Sequence, residues 1–356
     1  MYFSAIQNNM NKVNFFFAVV LASMVAVGIL STGCGSSNAP QSVQSKNGPD
    51  SVLTALNQRI LDDPENYINY VDRARYLGQI SQFADAFKDI QRAMELDSNK
   101  AVVHYEKGEL FWKQQDVQHA FLCYKKSIEK EPQYVDGLIK TASIEILLNN
   151  FDVAMDHLDN VLKVQMTNPQ AYYFKARLFK AKKDTVNAIS SYQTAVEVDP
   201  EFYDAYIELA LLMAAQGNDL AEEYYKTAIQ LRPRSIEVWY NRAMFLQENG
   251  ARKNEYYNLA LNCYDTIAKI DGNFSTAFYN KGFVYCTYLK EYTKGVENFT
   301  QAIKLFPSYF QAYYSRGVCY EKMGNKKLAL ADYEMALKIK PDYDEAAIGK
   351  GRILGN

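Results

Sequence analysis

A recurrence every 34 residues constrains this chain more than its length or composition does. Small residues stand at Ala74, Gly108, Ala142, Ala176 and Ala210, and the series continues, less evenly, through Ala243, Gly282 and Gly317. A second series accompanies it at Ala86, Ala120, Ala154, Ala188, Ala221, Ala260, Gly295 and Ala329. Four places after each stands a large residue: Ile90, Tyr124, Leu158, Tyr192, Tyr225, Tyr264, Phe299 and Tyr333. In the most regular unit, Tyr313, Gly317 and Tyr320 share one helical face, and Ala329, Tyr333 and Ala336 share another. Gly324 separates the two helices and Pro341 ends the pair, because proline cannot continue the hydrogen-bond ladder. Small side chains let two backbones approach; large ones fill the space beside them. Such a unit cannot bury its apolar face alone, so copies must stack.

The units run 67–100, 101–134, 135–168, 169–202, 203–235, 236–274, 275–309 and 310–343. The pattern resembles the tetratricopeptide repeat (TPR). That resemblance implies an all-α fold: a right-handed α-solenoid of about eight helix-turn-helix repeats, with capping helices at 51–66 and 344–356, about 18 helices and no sheet. The fifth unit is one residue short, the sixth gains five near Gly250 to Asn258, and the seventh gains one near Leu289; loops are expected to absorb these changes. Glu145 takes the place held elsewhere by Leu77, Phe111, Phe179, Met213, Leu246, Tyr285 and Tyr320. A carboxylate there must reach solvent or find a partner, and a locally soft third repeat is the expectation.

Ahead of the repeats, Val13 to Leu30 is an apolar run broken by Asn14, Ser23 and Gly28, and Leu30-Ser31-Thr32-Gly33 leads into Cys34. This resembles the signal and lipobox of bacterial lipoproteins, with Ser31 where leucine is usual. The resemblance implies a signal peptide over 1–33 and acyl chains on Cys34, each buried methylene contributing roughly 0.8 kcal/mol to membrane binding. Gly35, not aspartate, comes after the cysteine, which implies the outer membrane with the protein facing the periplasm. The alternative is an uncleaved inner-membrane anchor, since some 18 apolar residues can just span a bilayer; Met10 offers a second start. Beyond Cys34, the stretch to residue 50 has the Ser, Asn, Gln, Gly and Pro content of a flexible tether.

A formal net charge of -2 supplies no basic field for nucleic acid. His104, His119 and His157 lack metal-ligand spacing, so neither metal nor cofactor is expected. Cys123 and Cys263 take equivalent places in second helices and read as core; Cys286 and Cys319, on neighbouring first helices, leave open whether a disulfide joins them. Gly349-Lys350-Gly351 lacks the Ser/Thr and the strand of a phosphate loop. With residues 67–343 assigned to repeat positions, no room remains for a catalytic domain, and the chain is read as a non-enzyme without a small-molecule substrate.

In the TPR family, first helices line the concave face, where ligands usually bind. Positions 5 and 9 of each unit lie beside the inward stripe of positions 4, 8 and 11. Position 5 is Val71, Tyr105, Ile139, Tyr173, Ile207, Tyr240, Tyr279 and Tyr314; position 9 is Arg75, Glu109, Ser143, Arg177, Leu211, Met244, Phe283 and Val318. Position 9 turns from polar to apolar halfway, so the C-terminal groove is expected to be the greasier half. The candidate groove is Tyr173, Arg177, Ile207, Leu211, Tyr240, Met244, Tyr279, Phe283, Tyr314 and Val318, taking protein or peptide segments; inter-repeat packing is the competing use of these side chains. The chaperone-binding subgroup carries lysine at position 5 and asparagine at position 9, and this chain has neither. The function implied is a membrane-anchored scaffold in a bacterial envelope assembly, secretion or cell-wall machine. The alternatives are a self-assembling solenoid subunit or a non-catalytic accessory of an envelope enzyme.

Overall fold

The computed structural model describes residues 50–355; the signal, Cys34 and the tether lie outside the described residues. A compact unit begins at Ala55 and holds the helical array. Among the described residues there are 18 α-helices and no strand. A leading helix, α1 (Ser51–Asp62), precedes first and second helices in strict alternation. The first helices are α2 (Tyr67–Gln79), α4 (Ala101–Lys113), α6 (Val135–Leu147), α8 (Pro169–Ala181), α10 (Tyr203–Ala215), α12 (Ile236–Asn249), α14 (Ser275–Phe283) and α16 (Phe310–Lys322). The second helices are α3 (Phe83–Leu96), α5 (Val117–Lys130), α7 (Phe151–Val164), α9 (Thr185–Val198), α11 (Leu220–Leu231), α13 (Glu255–Ile270), α15 (Tyr292–Leu305) and α17 (Lys326–Ile339), and α18 (Asp344–Leu354) ends the array. The fold is an all-α solenoid of stacked helix pairs.

Its packing obeys the alternation of small and large residues. The small residues of both series are buried, and Tyr124, Tyr192, Tyr225, Tyr264, Tyr333 and Phe299 are the largest fully buried side chains. A Cβ added at Gly317 would lie 2.8 Å from the Tyr333 ring, so glycine is what lets that tyrosine lie against its partner helix. Neighbouring first helices touch directly at α2–α4, α4–α6, α6–α8 and α10–α12, whereas successive second helices make at most marginal contact. The first helices therefore form the tighter, inner layer.

Each hairpin turns through one residue in the left-handed region: Ser81, Gln115, Asn149, Lys183, Gly217, Lys290 and Gly324, in every unit but the sixth. The next amide then donates back to the first helix, as Gln82 does to Leu77 and Asn325 to Tyr320. Two of the expected loop insertions are corrected. In the seventh unit the extra residue is not in a loop: α14 continues as a π-helical turn, Val284–Leu289, whose wider hydrogen-bond ring accommodates one residue more per turn. In the sixth unit, α13 starts at Glu255 and runs 16 residues, so part of that insertion is helix. Of the two outcomes expected for Glu145, the second is found: it is buried and accepts from Asn150 Nδ2 at 2.5 Å, which gives the carboxylate a partner.

Candidate functional site

The position 5 tyrosines are held by rings on both sides. Tyr105 lies between Tyr124 and Tyr134 (centroids 5.8 and 5.6 Å), and Tyr173 between Tyr192 and Phe202 (5.5 and 5.1 Å). Tyr240 lies between Tyr264 and Phe274, Tyr279 between Phe299 and Tyr309, and Tyr314 between Tyr333 and Tyr343. Each trio joins a first helix, its second helix and the residue preceding the next unit. Aromatic pairs of this geometry contribute about 0.5–1.5 kcal/mol beyond their buried area. These tyrosines thus serve inter-unit packing while remaining only half-buried. Ile207 is different: at 6% exposure it is enclosed in the core around Ala210, Met213 and Tyr225, which takes it out of the groove surface.

A signal for the trios is present in the sequence. Where position 5 is tyrosine, the last residue of that unit is aromatic: Tyr134, Phe202, Phe274, Tyr309 and Tyr343. Where position 5 is Val71, Ile139 or Ile207, the last residue is Lys100, Asn168 or Ser235. The two positions change together because their side chains meet.

At position 9 two of the four polar residues are held in ion pairs. Arg75 meets Glu106 at 2.7 Å, and Glu109 accepts from both Lys140 (2.9 Å) and the Tyr124 hydroxyl (2.5 Å). Desolvation by burial raises Glu106 above its ordinary pKa, and the Arg75 hydrogen bond opposes that rise. Arg177 lies over the rings of Tyr173 and Phe174. In the apolar half, Leu211 packs on the core of units five and six, and Met244 Sδ accepts from the Tyr264 hydroxyl at 3.4 Å. Phe283 and Val318 remain half-exposed.

The structure brings three candidate residues together between units seven and eight. Phe283, Tyr314 and Val318, with Cys286, Thr287, Phe299 and Ser315, line a cavity of about 180 Å³. That is too small for an extended small molecule but adequate for one apolar side chain, since a dry cavity of about 150 Å³ admits benzene. The π-helical turn carries Cys286 and Thr287 to its wall. Cys286 and Cys319 are free thiols that converge on Gly295, where an added Cβ would lie 3.2 Å from Cys286 Cβ and 2.9 Å from Cys319 Sγ. Cys263 is buried in the core, and burial pushes its thiol up to about 12. His104 bonds the Ser98 carbonyl oxygen at 2.9 Å and His119 bonds Asp116 at 2.7 Å, so each belongs to local structure.

Comparison with known proteins agrees with the repeat geometry. The tetratricopeptide-repeat profile matches residues 310–343 and 169–202. The chain is similar to a DnaJ homolog subfamily C member 7 homolog of Dictyostelium discoideum, 23% identical over 290 residues, covering 74% of this chain and 53% of the relative. It is also similar to tetratricopeptide repeat protein 16 of Mus musculus, 23% identical over 312 residues, covering 80% of this chain and 40% of the relative. It thus spans about half the length, or less, of these relatives. Among solved structures, a tetratricopeptide repeat protein from Parabacteroides merdae aligns with 16% identity and a TM-score of 0.45, covering 72% of this chain and 99% of that one. MamA aligns with 22% identity and a TM-score of 0.44, covering 50% and 94%.

Proposed function

We propose that this solenoid of tetratricopeptide repeats is a scaffold whose inner face holds protein partners, and that an acylated Cys34 tethers it to a bacterial envelope membrane. The observation that carries the groove reading is the cavity of about 180 Å³ where Phe283, Tyr314 and Val318 meet. Its apolar lining and its size fit one aliphatic or aromatic side chain of a bound segment, with half-exposed Met244 extending the same stripe toward unit six. Tethering adds a second effect, raising the local concentration of whatever the groove holds. A periplasm-facing array on the outer membrane would act in envelope assembly, secretion or cell-wall work by positioning, with no chemical step of its own.

The groove test uses Phe283→Ser and Val318→Ser. Tyr279 is a poor choice, because it stacks on Tyr309 at 5.0 Å and on Phe299, so its loss would disturb folding. Cross-linking in intact cells should capture partners with the wild type and lose them with these variants at unchanged helicity; unchanged capture would sink the groove reading. The anchor is tested by membrane fractionation with Cys34→Ala. Outer-membrane sedimentation that survives the substitution would count against acylation. Among the described residues no helix is long and apolar enough to cross a membrane.

A further inference from the structure

Several departures from the repeat coincide at the seam between units seven and eight. The second series of small residues is alanine in every unit but the seventh, where Gly295 stands. Cysteine occupies position 12 of unit seven (Cys286) and position 10 of unit eight (Cys319), and no other unit carries it at either position. Those two positions meet across a seam elsewhere in the array: a Cβ added at Gly78, position 12 of unit one, would lie 2.5 Å from Leu110 Cδ2, position 10 of unit two. The extra residue of unit seven is taken up in the π-helical turn that contains Cys286.

Together these departures bring two sulfurs to one point. A methyl group at residue 295 would lie 3.2 Å from Cys286 Cβ and 2.9 Å from Cys319 Sγ, so glycine leaves both side chains their room. Both thiols are free and buried in one cluster with Phe299. The Cys319 thiol donates a hydrogen bond to Cys286, which holds Cys286 below its ordinary pKa, with Lys290 and Lys322 acting in the same direction. The same hydrogen bond, and then desolvation, raise Cys319. The lowered thiol is also the one that can be reached, because Cys286 lines the cavity of about 180 Å³, whereas the fully buried Cys319 lies outside that lining. Cys123 and Cys263 have neither feature, and burial raises both of their thiols. A thiol of lowered pKa at an accessible wall, next to a second cysteine, is the arrangement that thiol–disulfide exchange needs.

We propose that Cys286 and Cys319 are a dithiol site oxidised by disulfide compounds, Cys286 attacking and Cys319 resolving, so that a covalent bond fastens unit eight to unit seven. The Cys286 thiolate attacks one sulfur of a disulfide RSSR; its S–S bond breaks, one RS⁻ leaves, and Cys286 carries a mixed disulfide. Cys286 then no longer holds the Cys319 proton, which removes the largest cause of that thiol's raised pKa. Cys319 loses its proton and attacks Cys286 Sγ, the bond from Cys286 to SR breaks, and the second RS⁻ leaves. Two electrons pass from the pair to the disulfide compound, and the two thiol protons end on two RSH. The site stands whether or not the groove holds a partner.

The test treats the reduced full chain with 2-hydroxyethyl disulfide, blocks the remaining thiols, and maps tryptic peptides by mass without reduction. In the wild type, residues 282–290 and 317–322 should be recovered as one linked pair, lighter than the two separate peptides by two hydrogens. Cys286 should react at least tenfold faster than Cys123. Cys319→Ala should stop at the mixed disulfide on Cys286, and Cys286→Ala should leave Cys319 unmodified; circular dichroism checks the helicity of each variant, and the wild-type linkage is read without them. A lasting mixed disulfide on Cys286 with Cys319 in place, a linkage that forms only in urea, or equal rates at Cys286 and Cys123 overturns the proposal. Hydrogen exchange in α16 and α17 should slow at least tenfold in the oxidised chain and recover when a phosphine reduces it. Exchange unchanged by a linkage proven in the peptide map would show that the bond does not fasten unit eight, and would overturn that part of the proposal.

Discussion

The ion pair between α11 and α12 gives the most exacting test of how these units hold together. Arg242 Nε and Nη2 donate to the two oxygens of Glu222 at 3.0 and 2.5 Å, with side chains only 13% and 9% exposed. Replacing Arg242 by methionine keeps the apolar stem and removes the charge. Glu222 then retains only Lys226, at 3.7 Å on its own helix, and a nearly buried carboxylate is left without its fork. Breaking a buried pair from one side costs about 3–5 kcal/mol, whereas replacing both partners by apolar residues is often neutral or stabilising. Arg242→Met should therefore destabilise by about 3 kcal/mol or more, and adding Glu222→Met should restore most of the loss, a coupling of at least about 2 kcal/mol. Stacked repeats can open in parts, so one global midpoint would blur the effect. The assay is native-state hydrogen exchange, read on α11 and α12 separately from α3 and α17. A single variant within about 1 kcal/mol of wild type, or a double variant as unstable as the single, would refute the account of a buried pair that depends on both partners.

Local geometry sets three further outcomes. Hydrogen bonds from Arg352 hold the Glu321 carboxyl below its ordinary range, so its stabilising contribution is present above the ordinary carboxylate pKa and is lost as pH falls through the folded value; Arg352→Gln should flatten the acid limb of the stability profile of the last unit. Lys290 sits at φ 59°, where glycine is unstrained, so Lys290→Gly should stabilise by about 0.5–1 kcal/mol in urea titration, and Gly324→Ala at φ 79° should destabilise by a similar amount. Gly295→Ala would bring a methyl group to 2.9 Å from Cys319 Sγ, and overpacking of this kind costs typically about 1–3 kcal/mol, seen as faster exchange in α15.

Much of the architecture was legible in the sequence because spacing encodes it. The eight first helices start at Tyr67, Ala101, Val135, Pro169, Tyr203, Ile236, Ser275 and Phe310, each the first residue of its 34-residue unit or of a unit altered in length. What periodicity could not reveal is how a departure is accommodated. One extra residue near Leu289 can extend a loop or widen a helical turn, and only the hydrogen bonding distinguishes them; the chain widens the turn. Glu145 at an apolar position reads as a defect until Asn150, five residues on across the turn, is seen to donate to it. Ile207 and Tyr240 share a repeat position yet differ in exposure. An aliphatic side chain there is swallowed by the core, whereas a tyrosine is long enough to bridge to an aromatic ring at the unit boundary.

The two halves of position 9 obey one physical constraint. A side chain there stands beside the inter-unit seam, so a charged one needs a counter-charge on the next unit, as Arg75 finds in Glu106 and Glu109 in Lys140. Paired in this way, the polar half has satisfied most of its own electrostatic capacity, and Arg177 is the exception. The apolar half has no comparable internal partner to satisfy: Phe283 and Val318 can pack only as far as the neighbouring unit reaches, and between units seven and eight it stops short, leaving the cavity. Because each unit touches only its neighbours, a substitution at that cavity should leave the Nε–Hε nuclear magnetic resonance signal of Arg177 in unit four unmoved, and Arg177→Met should leave ring signals of Tyr314 and Phe283 unmoved. A shift carried in either direction across the intervening units would mean that the array couples its repeats over distance, and the cavity could then no longer be treated as a local feature of units seven and eight.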